Sequence, residues 1–115
     1  MKKQILFIHG GLTFNTYKDY LLFLKNLKID LDRYRKTKWS TSLKEELGGR
    51  FDVLLPQMPN PMNAKYDEWR ILFKKIAPLL RNNVILIGHS LGAIFLAKYL
   101  SENNFPKKIL ATLLV

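Results

Sequence analysis

A chain of 115 residues with 48% hydrophobic content can form one domain and has enough apolar surface for a core. It contains no cysteine, which excludes disulfides and thiolate metal sites and suits a reducing cytoplasm, where we expect the protein to reside. The net charge of +10, from 19 Lys and Arg against 9 Asp and Glu, would suit an anionic partner, but the charges are scattered in pairs such as Lys74-Lys75 and Lys107-Lys108.

The first residues hold a basic pair and then four apolar residues, Ile5 to Ile8, too few for a signal peptide. No apolar run approaches a membrane span. The densest basic stretch, with Arg33, Arg35, Lys36 and Lys38 beside Trp39, matches no known nucleic-acid reading element. Neither a nucleic acid nor a membrane is therefore expected as a partner.

In chain order, residues 3–8 read as a buried strand that ends at His9-Gly10-Gly11. Residues 16–28 place Tyr17, Tyr20, Leu21, Leu24 and Leu27 on one helical face, with Thr16 or Asn15 as cap. Residues 29–39 are charged and patternless, and read as an excursion loop. Ser42-Leu43-Lys44-Glu45 has the form of a capping box and Gly48-Gly49 that of a stop, which predicts a short helix over 43–47. Residues 51–55 form a second strand, and Pro56, Pro59 and Pro61 make the following stretch a loop. Residues 65–80 are helical, with Tyr66, Trp69, Leu72, Phe73 and Ile76 on one face and Pro78 fraying the end. A third strand over 84–87, a helix over 91–102 and a fourth strand over 109–115 complete the chain.

This alternation predicts a three-layer α/β fold with a parallel sheet, residues 1–115 forming part of a single domain. Ligands of such sheets bind beyond the carboxyl ends of the strands, where strand order reverses. The apolar run Val84 to Ile87 enters Gly88-His89-Ser90-Leu91-Gly92, and an amphipathic helix follows at once. That spacing is a nucleophile elbow: the chain reverses from strand to helix within a few residues and leaves the serine hydroxyl exposed. A Cβ at Gly88 or Gly92 would collide with the neighbouring backbone. Ser90 is the candidate nucleophile, and the backbone N–H groups of Leu91 and Gly11 are candidate donors to a developing oxyanion. A serine that merely caps the helix is the competing reading.

His9-Gly10-Gly11 and Gly88-His89-Ser90-Leu91-Gly92 together resemble the α/β-hydrolase superfamily. Pro56-Gln57-Met58-Pro59-Asn60-Pro61, followed by Glu68-Trp69, resembles the small serine hydrolases of the retinoblastoma-binding-protein-9 type. The resemblance implies an esterase or related acyl hydrolase that acts on a small ester-like substrate without cofactor. It also implies a catalytic acid and histidine after later strands, and here the 25 residues after Ser90 hold one carboxylate, Glu102, and no histidine. The expectation is an N-terminal portion of a hydrolase, inactive alone, which self-associates through an unfinished sheet edge.

His9 and His89 read as structural, and Asp67 and Glu68 as complements to a helix dipole. No spacing suggests a metal site. Trp69 reads as core, Met58 as core filler or pocket lining, and Phe14 and Tyr17 lie close in sequence to the proposed oxyanion loop. A non-catalytic interaction module with the same fold is the alternative.

Overall fold

A computed structural model describes residues 1–35 and 39–115 of the chain. Four strands, β1 (Lys3–Ile8), β2 (Phe51–Leu54), β3 (Val84–Gly88) and β4 (Ile109–Leu114), form one sheet in the order β2-β1-β3-β4. All three pairings are parallel. From β1 the chain moves to one side, to β2; it then crosses back over β1 to β3 and continues outward to β4. The order therefore reverses between β1 and β3, as the α/β pattern requires of a ligand crevice.

Helices cover both faces. Trp69 and Phe73 of α4 (Tyr66–Ile76), with Phe95, Leu96 and Tyr99 of α5 (Leu91–Glu102), pack on Leu6, Ile8, Val84 and Leu86. Phe73 meets Phe95 and Tyr99 edge-on, with ring centroids 5.4 and 4.7 Å apart. On the opposite face Leu43 and Leu47 of α3 (Trp39–Leu47) pack against Ile5, Phe7, Val53 and Ile87. The strands carry apolar residues on both faces because each face meets a helix.

Gln4 ties the elements at the strands' amino ends. Its Nε2 donates to Asp52 on the neighbouring strand at 3.4 Å, and its Oε1 accepts the Arg81 backbone N–H at 2.7 Å. Arg81 in turn lies 3.7 Å from the same aspartate.

Three expectations are corrected. Residues 29–39 are not all loop: α2 (Asp32–Arg35) lies there, and α3 begins at Trp39. The capping-box pattern at Ser42 consequently lies inside α3, because the helix starts earlier than the local signal indicates; its end before Gly48 is as expected, with the Gly48 N–H bonded to the Lys44 carbonyl at 2.8 Å. Within the proline-rich loop, Pro61–Asn63 form a 3₁₀ turn. Lys36 and Lys38, and the side chain of Trp39, lie outside the described residues.

The first helix, α1 (Tyr17–Asn26), is capped by Thr16, whose hydroxyl accepts the Asp19 N–H at 3.1 Å. Its apolar face buries no residue, and Tyr17 is 68% exposed. Periodicity located the helix but not its packing, since an amphipathic stripe needs a facing surface before it is buried. Phe14 packs on Tyr20 and Phe23 of this helix instead of on the sheet. No described helix is long and apolar enough to cross a membrane.

The two helices should respond differently to truncation. Phe73→Ala is expected to lower unfolding free energy by about 3–5 kcal/mol, against less than about 0.5 kcal/mol for Tyr17→Ala, read by urea denaturation. Leu110, Leu113 and Leu114 on the edge strand β4 are each about half exposed. An apolar strand edge without charge is a template for pairing. Light scattering should show concentration-dependent association that Leu113→Lys weakens; a monodisperse monomer at all concentrations contradicts this.

Candidate active site

The register Ile8↔Gly88 places the ends of β1 and β3 side by side. The chain leaves β1 through His9-Gly10-Gly11 and leaves β3 through His89-Ser90, so both corners open at the reversal point. The His89 N–H donates to the Ile8 carbonyl at 3.0 Å and joins them.

Ser90 adopts φ 56° and ψ −118°, a left-handed φ that a residue with a Cβ adopts only under constraint. Three neighbours hold it there. Its N–H donates to the Val115 carbonyl at 2.7 Å, its own carbonyl accepts from Ala93 at 2.9 Å, and the His89 carbonyl accepts from Gly92 at 2.9 Å. The side chain is exposed, and it makes no capping hydrogen bond to α5. A serine selected as a cap spends its hydroxyl on the N–H of the second or third helical residue. Ser90 does not, so the capping reading fails.

The glycines around Ser90 are required by space. No glycine among the described residues has positive φ. A Cβ on Gly88 would lie 2.6 Å from the Gly92 carbonyl oxygen and 2.7 Å from the Ala93 Cα. One on Gly92 would enter the Ile8 carbonyl oxygen and sit 2.6 Å from that of His9. Across the crevice, a Cβ on Gly11 would lie 2.6 Å from the Pro61 carbonyl oxygen. One on Gly10 would lie 3.3 Å from the Ser90 Cβ and 3.7 Å from its Oγ. Gly10 therefore faces the serine directly.

His9 braces this corner. Its Nε2 accepts the Met58 backbone N–H at 2.8 Å, which leaves Nδ1 as the protonated nitrogen, donating to the Gly10 carbonyl at 2.6 Å. Its ring meets Trp69 edge-on at 5.6 Å. Trp69 is buried, and its Nε1 donates to the Pro59 carbonyl at 2.7 Å. Met58 is also buried and belongs to the core, which decides between its two sequence readings. The 56–64 loop is fastened to the corner after β1 by Leu12 N–H to the Pro61 carbonyl, 2.8 Å, and Ala64 N–H to the Leu12 carbonyl, 2.7 Å. Sequence reasoning placed this loop in the resemblance without showing that it holds the Gly11 corner; no spacing in the sequence links residues 49 positions apart.

The N–H of Leu12 is thus committed, while those of Gly11 and Leu91 enter none of the loop, turn or cap bonds among the described residues. The side chain of Leu91 would lie 3.5 Å from a Cβ on Gly11, so the two residues are neighbours. Asp67 is in the first turn of α4 and pairs with Arg70 at 3.5 Å, as a dipole-complementing residue does; Glu68 is in the same turn. Glu102 ends α5, roughly 18 Å along the axis from Ser90 at the rise of an α-helix. There it accepts a 3.4 Å hydrogen bond from Tyr66. Burial, and then this carboxylate, hold the Tyr66 hydroxyl above its ordinary pKa. Among the described residues, no three His, Asp or Glu side chains converge on a metal position.

A cleft of about 780 Å³ is bordered by His9, Gly10 and His89; Ser90 is not itself in its lining but follows His89 in the chain and faces Gly10. Leu55 to Gln57 border it after β2, and Arg33 and Thr41 come from the β1–β2 crossover.

The close approach at Gly92 yields a stability test. Gly92→Ala should prevent folding or cost far more than Gly49→Ala, because nothing lies within 4 Å of a Cβ at Gly49. Circular dichroism with thermal melting compares the two; equal melting temperatures would show that α5 does not depend on the contact.

A family model described as serine hydrolase matches residues 31–115, more than half of the chain. No curated protein and no solved structure matches it. The match includes β3, the elbow and α5 but not β1 and its diglycine corner, which the fold supplies on its own account. With an exposed, strained serine between strand and helix and a family match across that segment, the chain belongs to the serine hydrolase family.

Proposed function

We propose that the chain carries the nucleophile and the oxyanion donors of a hydrolase acting on ester or related acyl bonds. Ser90 Oγ attacks the substrate carbonyl, and the N–H groups of Gly11 and Leu91 receive the oxygen as it becomes negative. The observation that carries this reading is the backbone of Ser90: a strained φ, an exposed hydroxyl spared from capping, and Gly10 opposite it. Main-chain donors fixed by β1 and α5 need no reorganisation as charge develops. One such donor contributes about 3 kcal/mol of barrier lowering where it has been probed. The N-terminus of α5 adds its positive end.

His9 is a positioning residue in this reading, since both ring nitrogens are engaged in holding the corner. Glu102 is too distant to orient a base. Neither His9 nor Glu102 is therefore assigned as the base or the acid of a triad. The Pro56–Pro61 loop and Glu68-Trp69 favour the retinoblastoma-binding-protein-9 type within the family, and the observed role of that loop as a fastener of Gly11 supports it. The cleft, of about 780 Å³, suits a small substrate.

A fluorophosphonate reagent followed by peptide mass spectrometry tests the assignment. Slow modification at Ser90, absent from Ser90→Ala, is expected. With no base assigned beside Ser90, turnover of p-nitrophenyl acetate should stay below about 1 per second, the lower end for enzymes. Modification that is unchanged in Ser90→Ala overturns the nucleophile assignment and leaves the elbow as architecture alone, the non-catalytic module.

A further inference from the structure

The cleft beside Ser90 has a charge pattern that neither the family match nor the elbow accounts for. Arg33 of α2 borders it, together with Thr41 and Gln57, which can donate hydrogen bonds, and with His9 and His89. No carboxylate borders the cleft among the described residues, and residues 36–40, between Arg35 and Thr41, contain no Asp or Glu. The nearest acids in the chain are already engaged. Asp32 pairs with Arg35, and the Asp30 carboxylate accepts the Asp32 backbone N–H at 3.1 Å. Arg33 forms no ion pair with any described residue, although the neighbouring Arg35 does. An arginine that has no acidic partner and borders a cleft without carboxylates meets an anion with a planar fork of donors. The +10 chain adds a long-range field of the same sign.

We propose that this cleft selects substrates carrying a carboxylate, with the Arg33 guanidinium as the specificity-determining group. The inference rests on the reading of Ser90 as nucleophile, because it describes the substrate of that site. The acyl carbonyl would lie at Ser90 between the Gly11 and Leu91 amides, and the carboxylate would extend into the cleft toward α2. Arg33 makes no contact with the reacting bond. It sets which esters dwell there, and its effect belongs in binding. The long crossover from β1 to β2 acquires a purpose in this picture: it brings a cation to a site whose other described lining residues are neutral or histidine.

Binding can be read without any turnover by using ketones, which have no bond to hydrolyse. The probes are 5-oxohexanoate and 2-heptanone, of similar length, titrated into the chain at low salt and followed by amide chemical shifts. The carboxylate is expected to bind about tenfold more tightly, with shifts at Gly10, Arg33 and His89, and the preference should shrink as salt is raised. Arg33→Gln should abolish the preference and Arg33→Lys retain part of it. Lys107→Gln, which removes the same charge elsewhere, should leave it unchanged. Equal binding of the two ketones, no binding of either, or a preference that survives Arg33→Gln overturns the proposal. Fluorophosphonate modification reports on Ser90 separately: a chain modified there without the preference loses only the Arg33 inference, and the converse result loses only the nucleophile.

Discussion

Everything at the site depends on one backbone contact, the passage of α5 against the end of β1 at Gly92. The helix comes so close that any side chain at this position would overlap the carbonyl oxygens of Ile8 and His9. That closeness puts the first turn of α5 beside the diglycine corner. It also forces the reversal at Ser90 to be completed in one residue, with φ 56°. The strain is local, of order 1–3 kcal/mol for a non-glycine residue in such a region, and the packed core on both sides of the sheet offsets it. Phe95 and Leu96, four and five positions after Leu91, are buried in the larger core and hold the helix against the contact.

A second constraint comes from the loop that follows β2. The Pro56 to Ala64 segment reaches across the carboxyl edge of the sheet and grips the β1 corner through His9, Leu12 and Trp69. Buried donors and acceptors are satisfied in pairs: the indole N–H by the Pro59 carbonyl, the Met58 N–H by the imidazole. Among the described residues the N–H groups of Gly11 and Leu91 enter none of the loop, turn or cap bonds, and Ser90 is exposed. Both imidazoles border the cleft, and His9 is held in the corner through both ring nitrogens.

Charge is distributed unevenly with respect to the fold. The acids in the first turn of α4 and at the end of α5 serve Arg70 and Tyr66 away from the crevice. Asp52 serves the amino ends of the strands with Gln4 and Arg81. None of them borders the cleft, whose one charged lining residue among those described is Arg33.

Much of this was legible in the residues. Consecutive apolar runs mark strands buried on both faces, and Gly88-x-Ser90-x-Gly92 between a strand and a helix marks the reversal, because few backbone paths connect the two within so short a span. Trp69 and Phe73 were identifiable as core from helical spacing alone. The start of α3 was not, since Trp39 carries no capping signal and the helix runs through the Ser42 pattern. The exposure of α1 was not either, since periodicity describes one surface and says nothing of its partner. What the sequence by itself determined is local: strand, reversal, helix, and the identity of the exposed hydroxyl. Only the tertiary structure decided that β1 neighbours β3, that the loop after β2 fastens the Gly11 corner, and that Arg33 borders the cleft. Those relations join residues tens of positions apart, and they are fixed by which faces can be buried together, not by any spacing along the chain.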